Sequence, residues 1–225
     1  MADRTEFLEA IRHRTRTGKY KPTHAPDIAW TPKVEPPERE RIEDPPARFL
    51  QELEALGGHG LRVESTREAR EYVISLAKEW DAKLLVRWDV EELETLGVDE
   101  LLREAGIEVA VWRDLKDFRE VAGRADVGLS TAEWAIAETG SLVLASGPRQ
   151  GRTVTLLPPV HVAVVPVDRV LRTVPQAIEK YVGGEAGRLP SNVCFHTGPS
   201  RSGDIEISLA IGVHGPGDVY VILVG

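Results

Sequence analysis

Residues 61–88, LRVESTREAREYVISLAKEWDAKLLVRW, decide the fold, because they read as strand, helix and strand in succession. Leu61–Val63 is a short strand. Ser65 and Thr66 stand as cap residues before Ala69, Val73, Leu76, Ala77 and Trp80, which recur at helical spacing. Lys83–Trp88 (KLLVRW) then returns to a near-continuous apolar run, the pattern of a strand covered on both faces. Two strands joined through a helix pair in parallel, since a crossover returns the chain to the same end of the sheet.

The same alternation extends outward. Upstream, Phe49, Leu50, Leu53 and Leu56 place a helix over 47–56, stopped by Gly57 and Gly58. Downstream, 91–96 and 99–105 read as helical turns, 107–111 as a strand and 115–122 as a helix. In the second half, strands are expected at 125–129, 140–145, 161–166, 193–196 and 219–224, the last closing the sheet. Ser130 and Thr131 introduce an expected helical turn over 132–137, residues 146–152 an expected loop, 156–159 a brief turn and 174–181 a helix. The predicted fold is α/β, with a mostly parallel sheet and helices on both faces.

Composition is that of a soluble globular chain: 225 residues, 42% hydrophobic, 28% charged, net charge −8. The acidic balance argues against a large nucleic-acid surface. The first residues, MADRTEFLEAIRHR, contain no signal-peptide core, and no apolar run is long enough to span a membrane, so a cytoplasmic location is expected. A single cysteine, Cys194, excludes a disulfide framework and any cluster or zinc site built from several thiolates of this chain.

Charge and proline mark off the beginning of the chain. Residues 1–24 carry six basic and three acidic side chains, and Phe7, Leu8 and Ile11 suggest an amphipathic helix over 3–14. Seven prolines follow between 22 and 46, which gives extended chain with Trp30 as its apolar contact, wrapped on the body or docked on a partner. The expected organisation is a helix and Pro-rich arm over 1–45, then an α/β domain over 46–225.

Three clusters carry candidate chemistry. In TGPSRSGDIE (197–206) an apolar strand runs into a glycine-rich turn and an expected helix start. Backbone N–H groups, the Ser200 and Ser202 hydroxyls and the Arg201 guanidinium can bind an anion there. Equally, a serine can cap the helix while Arg201 pairs with Asp204 or Glu206. The loop is neither a Walker A motif nor GxGxxG. In EWAIAETGS (133–141), Glu138 beside Gly140 can act as a base or nucleophilic carboxylate, or simply hold a turn. In IGVHGPG (211–217), His214 can transfer a proton or serve as a turn histidine. His161 starts a strand that can line the same edge, and Arg149 and Arg152 can cover an anion or belong to a solvated loop. Cys194 and His196 share a strand face but lack further metal ligands nearby, so no metal is expected.

ADVGLSTAEWAIAETGSLVL (125–144), LLPPVHVAVVP (156–166) and HTGPSRSGDIEISLAIGVHGPGDVYVILV (196–224) together resemble the lactate-utilisation protein C family, the LUD-domain proteins. The resemblance spans about 46–225 and is specific over 125–225. It implies a three-layer α/β/α fold like the sugar-phosphate isomerase and CoA-transferase superfamily. It also implies a part in oxidising L-lactate to pyruvate beside two companion proteins with iron–sulfur motifs. With one cysteine, this chain resembles the cluster-free member, with no cofactor of its own. The family's motif positions fall on Thr131, Glu138, Thr139, Gly140, Gly198, Pro199, Ser200, Arg201, Asp204, Glu206, His214, Gly215 and Pro216. One departure is Ser202-Gly203, where the family has Thr-Ala or Ser-Ala.

These readings combine into an expected site. Thr139, Gly140, Gly198, Ser200, Arg201, Ser202, Gly203 and Asp204 would hold a small anionic ligand, and Glu138 or His214 would orient it or move a proton. Two other functions fit the same sequence. One is an independent enzyme acting on a phosphorylated or CoA-linked small molecule, with Glu138 as base or acyl acceptor. The other is a metabolite-sensing regulatory subunit that engages a partner through its arm, or assembles as a homo-oligomer.

Overall fold

The computed structural model describes Glu9 and residues 41–114, 116–182, 190–203 and 209–225. Residues 41–225 form one compact unit and 1–40 another, of which only the exposed, helical Glu9 is described. The expected helix over 3–14, Trp30 and most of the Pro-rich arm therefore lie outside the described residues.

Helix α1 (Pro45–Ala55) begins two residues before its apolar stripe suggests, because Asp44 caps it and prolines occupy its first turn. Proline suits that place, where its missing N–H would have no helical partner. Strand β1 (His59–Val63) follows, then α2 (Thr66–Glu79). Ser65 accepts the Glu68 N–H at 3.3 Å while its hydroxyl donates to Glu68 Oε1 at 2.9 Å, a reciprocal cap on α2. Strand β2 (Leu84–Arg87), short helices α3 (Glu91–Leu96) and α4 (Asp99–Glu104), and strand β3 (Glu108–Val111) follow in order. Helix α5 (Phe118–Arg124) starts later than expected, since Asp117 is its cap. Strand β4 (Val127–Ser130) completes the first half.

The central sheet has six strands in the order β1-β12-β7-β4-β2-β3, where β7 is Val160–Pro166 and β12 is Asp218–Val224. Every neighbouring pair is parallel, as the alternation requires. β12 does not close the sheet at an edge but lies inside it, between β1 and β7. Its run VYVILV is suited to cover on both faces. From β2 the chain crosses to β3 on one side and then returns past β2 to β4 on the other. The crevice between β2 and β4 is therefore the sheet's switch point.

A second, smaller sheet joins β5 (Trp134–Ile136), β6 (Ser141–Ala145), β8 (Val170–Leu171) and β9 (Val193–His196) in the order β8-β5-β6-β9. Ala135, Leu142 and Leu144 belong to the main core, while Ile136 and Val143 pack with Ala177 of helix α7 (Val174–Val182). The helical turn expected at 132–137 is thus a strand. Its residues alternate between two apolar surfaces, and Trp134–Ile136 pairs antiparallel with β6 and Ile136 with Leu171 of β8. Helix α6 (Arg152–Leu156) forms where a loop and turn are expected. It packs so closely on β4 that a Cβ at Gly128 would sit 1.9 Å from the Val154 carbonyl oxygen. The expected helix start in 197–206 is also corrected: β10 (Arg201–Gly203) and β11 (Leu209–Ile211) form an antiparallel hairpin.

Candidate functional site

Gly198, Ser200, Arg201 and the 212–217 loop gather on the amino side of the central sheet, whereas Thr131 follows the carboxyl end of β4. α1 ends at Ala55, just before β1 begins at His59, and the 212–217 loop precedes β12. Arg201 donates from Nη2 to the Leu56 carbonyl, closing the end of α1. Gly198 (φ +72°) lies against the Leu56 side chain, and Gly140 (φ +61°) lies against the α1 backbone, where a Cβ would meet Leu53 N at 2.6 Å. Both the left-handed backbone and the close approach require glycine at 140. A chain of hydroxyls links these turns: Thr139 Oγ1 to Ser141 Oγ at 2.8 Å, and Ser141 Oγ to Thr197 Oγ1 at 2.8 Å.

Ser200 and the His214 loop are also brought together. Ser200 N–H donates to the Pro216 carbonyl at 2.9 Å, and Gly212 N–H donates to the Ser200 carbonyl at 3.0 Å. His214 itself is exposed. Ser202 and Gly203 pair with Ala210 and Leu209 in the hairpin, so they open no helix N-terminus. Asp204 and Glu206 lie outside the described residues. Glu138 faces a different element: its Oε1 accepts the Val174 N–H at 2.6 Å, at the start of α7.

The opposite, carboxyl edge holds a cavity. At the switch point, Trp88 follows β2 and donates its indole N–H to the Gly151 carbonyl at 2.9 Å. Asp89, almost wholly buried, accepts from Arg113 Nη1 at 2.6 Å and from Arg149 Nε at 3.0 Å. These bonds fix the 146–151 loop over the ends of β2 and β6. Beneath it lies a cavity of about 120 Å³, lined among others by Trp88, Leu144, Arg152, Asn192, Cys194 and His196. An open groove of about 720 Å³ along Trp112, Gly147, Gly151 and Pro190 shares Ser146 and Arg152 with it. None of Glu138, Ser200, Arg201 and His214 lines either space.

The electrostatics of the cavity are simple. Burial lowers the His196 pKa, which favours the neutral ring. Burial also raises the Cys194 thiol pKa, against the pull of Arg152. Behind His196, in edge-to-face contact at 5.9 Å, His161 is fully buried and shares a 2.8 Å hydrogen bond between Nε2 and Ser130 Oγ. Burial, with His196 adding, pushes its pKa down to about 3. Among the described residues no group of three or more histidine, cysteine, aspartate or glutamate side chains is placed to hold a metal ion.

Sequence reasoning singled out Cys194, His196 and Arg152, with His161 behind them, but had no means of placing them around one space. Trp88, Asp89 and Asn192 were missed. The signal for the first two is a tryptophan and an acid directly after an apolar strand, where a parallel sheet presents its ligand edge.

The described residues thus form an α/β protein with a parallel central sheet and a small cavity beside its switch point. The chain belongs to the LUD domain family, whose model matches residues 46–224. It is 34% identical over 159 residues to "Lactate utilization protein C" of Halalkalibacterium halodurans, covering 69% of this chain and 67% of that protein. The protein of the same name from a Geobacillus species is 29% identical over 238 residues, covering 99% of this chain and 95% of its own. "Uncharacterized protein YkgG" of Escherichia coli is 36% identical over 170 residues, covering 72% of this chain and 73% of that protein. The crystal structure of a DUF162 family protein from Deinococcus radiodurans shares the fold. Its TM-score is 0.58 at 20% identity, covering 83% of this chain and all of that one. No helix among the described residues is long and apolar enough to cross a membrane.

Proposed function

We propose that this chain is a non-redox component of an L-lactate utilisation system, working in the cytoplasm beside iron–sulfur companion proteins that take up the electrons released as L-lactate is oxidised to pyruvate. The observation that carries the reading is the Geobacillus relative, which bears the lactate-utilisation name and aligns over 99% of this chain. The sequence supports the separation of roles. Iron–sulfur clusters are held by several thiolates, and Cys194 is the one cysteine here. What the chain's own residues supply is ligand binding at the sheet's carboxyl edge and a surface for companions.

The test is genetic. Deleting the gene in a strain with no other L-lactate-oxidising enzyme should abolish growth on L-lactate as carbon source, with growth on pyruvate intact. The intact chain supplied in trans should restore it. Normal growth of the deletion strain on L-lactate would remove the reading.

A further inference from the structure

We propose that the inner cavity beneath the 146–152 loop binds a three-carbon 2-hydroxy or 2-oxo monocarboxylate, with Arg152 as charge partner and Asn192 and His196 as hydrogen-bonding partners. This deepens the lactate reading and rests on it for the identity of the acid. The size and polarity of the site rest on the structure alone.

Size comes first. A cavity of about 150 Å³ takes benzene, a ligand of six non-hydrogen atoms. At about 120 Å³ this one suits a ligand of five or six such atoms and is too small for a sugar phosphate or a nucleotide. The neighbouring groove of about 720 Å³ provides the approach, since Ser146 and Arg152 line both.

Charge comes second. The Arg152 guanidinium makes no hydrogen bond or ion pair with a described residue, its carbonyl alone accepting from Thr155 Oγ1 at 3.2 Å, whereas those of Arg113 and Arg149 are spent on Asp89. It is also the first residue of α6, where a cation opposes the helix dipole. Among the described residues nothing else accounts for an arginine there, whereas an anion in the cavity does. Among the described residues no carboxylate lines the cavity to compete for it.

Chemistry at the walls comes third. Leu144, Ala145 and Leu156 offer an apolar surface for a methyl group, and Asn192 and His196 offer hydrogen bonds for a hydroxyl or carbonyl oxygen. A carboxylate, one oxygen and one methyl on a common carbon frame satisfy these walls together. The unpaired, fully buried Nδ1 of His161 behind His196 marks this region as polar, and buried polar atoms without partners are rare.

The test is calorimetric titration of the purified full-length chain with L-lactate, pyruvate, inorganic phosphate and glucose 6-phosphate, repeated on Arg152→Gln and on Ala145→Leu. The first variant removes the charge from an exposed position with no charge partner among the described residues, so its melting temperature should not fall; the second fills the cavity. L-Lactate or pyruvate should bind the parent chain. Arg152→Gln should weaken binding about ten- to hundredfold, as loss of a charged hydrogen bond does, and Ala145→Leu should abolish it. Binding unchanged in both variants overturns the proposal, as does binding of the phosphates in preference to the monocarboxylates. The deletion strain separates the two readings. If growth on L-lactate requires the chain but neither acid binds, the cavity inference falls and the lactate reading stands. If the acids bind through Arg152 but growth is independent of the chain, the lactate reading falls and the monocarboxylate site stands.

Discussion

Asp89 holds Arg149 twice: the carboxylate accepts from Nε at 3.0 Å and Nη2 at 3.2 Å, and the Asp89 backbone N–H donates to the Arg149 carbonyl at 3.0 Å. The end of a core strand and a surface loop are thereby locked in one register. The Arg149 hydrogen bond, with the charges of Arg113, Arg149 and Arg87, holds the Asp89 carboxyl below the usual carboxylate range despite its burial. Asp89→Asn should cost about 1–3 kcal/mol, less than a fully buried pair because both arginines reach solvent. A carboxylate with a lowered pKa contributes stability above its unfolded value of about 3.9, and loses it as pH falls toward the folded value. Urea denaturation of parent and variant at pH 7 and pH 3 should show the gap closing at the lower pH.

His161 gives an acid dependence in a higher window. The folded pKa is about 3, whereas an unfolded histidine binds its proton below about 6.5. Between those values the unfolded state carries the extra proton, so stability falls as pH drops from 6.5 toward 3, by at most about 1.4 kcal/mol per pH unit. His161→Gln should flatten the dependence between pH 6.5 and 5, as measured by denaturant titration at closely spaced pH. An unchanged slope would assign the proton to another group.

Glu138 separates a helix cap from a proton-transfer group. Its Oε1 accepts the Val174 N–H at 2.6 Å, so Glu138→Ala should destabilise by about 1 kcal/mol. Glu138→Gln keeps an oxygen acceptor and should hold the melting temperature close to that of the parent. If the role is the cap alone, Glu138→Gln should restore growth on L-lactate to the deletion strain. Loss of growth with an unchanged melting temperature would show that the acid itself is needed.

Gly128 is a packing constraint independent of the site. A methyl group there would press into the Val154 carbonyl oxygen, a backbone atom that cannot rotate away. Gly128→Ala should therefore cost about 1–3 kcal/mol or more by overpacking. Thermal melting checks this. A neutral effect would mean that α6 shifts freely on β4.

The elements legible in the sequence are those whose pattern is set by local burial. The stripe Ala69, Val73, Leu76 and Ala77 is buried along α2, and Leu84–Arg87 is buried at every position. The misread segments are short and carry weak local preference. Trp134–Ile136 is a strand because β6 and β8 flank it, and Arg201–Gly203 is a strand because Leu209–Ile211 pairs with it. Neither partner is visible in a local window.

The candidate site divides in the same way. Gly140, Gly198 and Arg201 stand out in sequence as turn and anion-binding residues, and the fold gathers them on the end of α1. The cavity residues Trp88, Arg152, and Asn192 with His196 come from three separate segments, joined by no spacing rule.

By itself the sequence determined the class of fold, because apolar periodicity and strand–helix alternation are properties of neighbouring residues. It also determined that this chain cannot hold a cluster on several of its own thiolates. Only the tertiary structure decided which edge of the sheet each motif occupies and which charges are already paired. Strand order and long-range packing set those relations, and they join residues whose separation along the chain carries no physical signal.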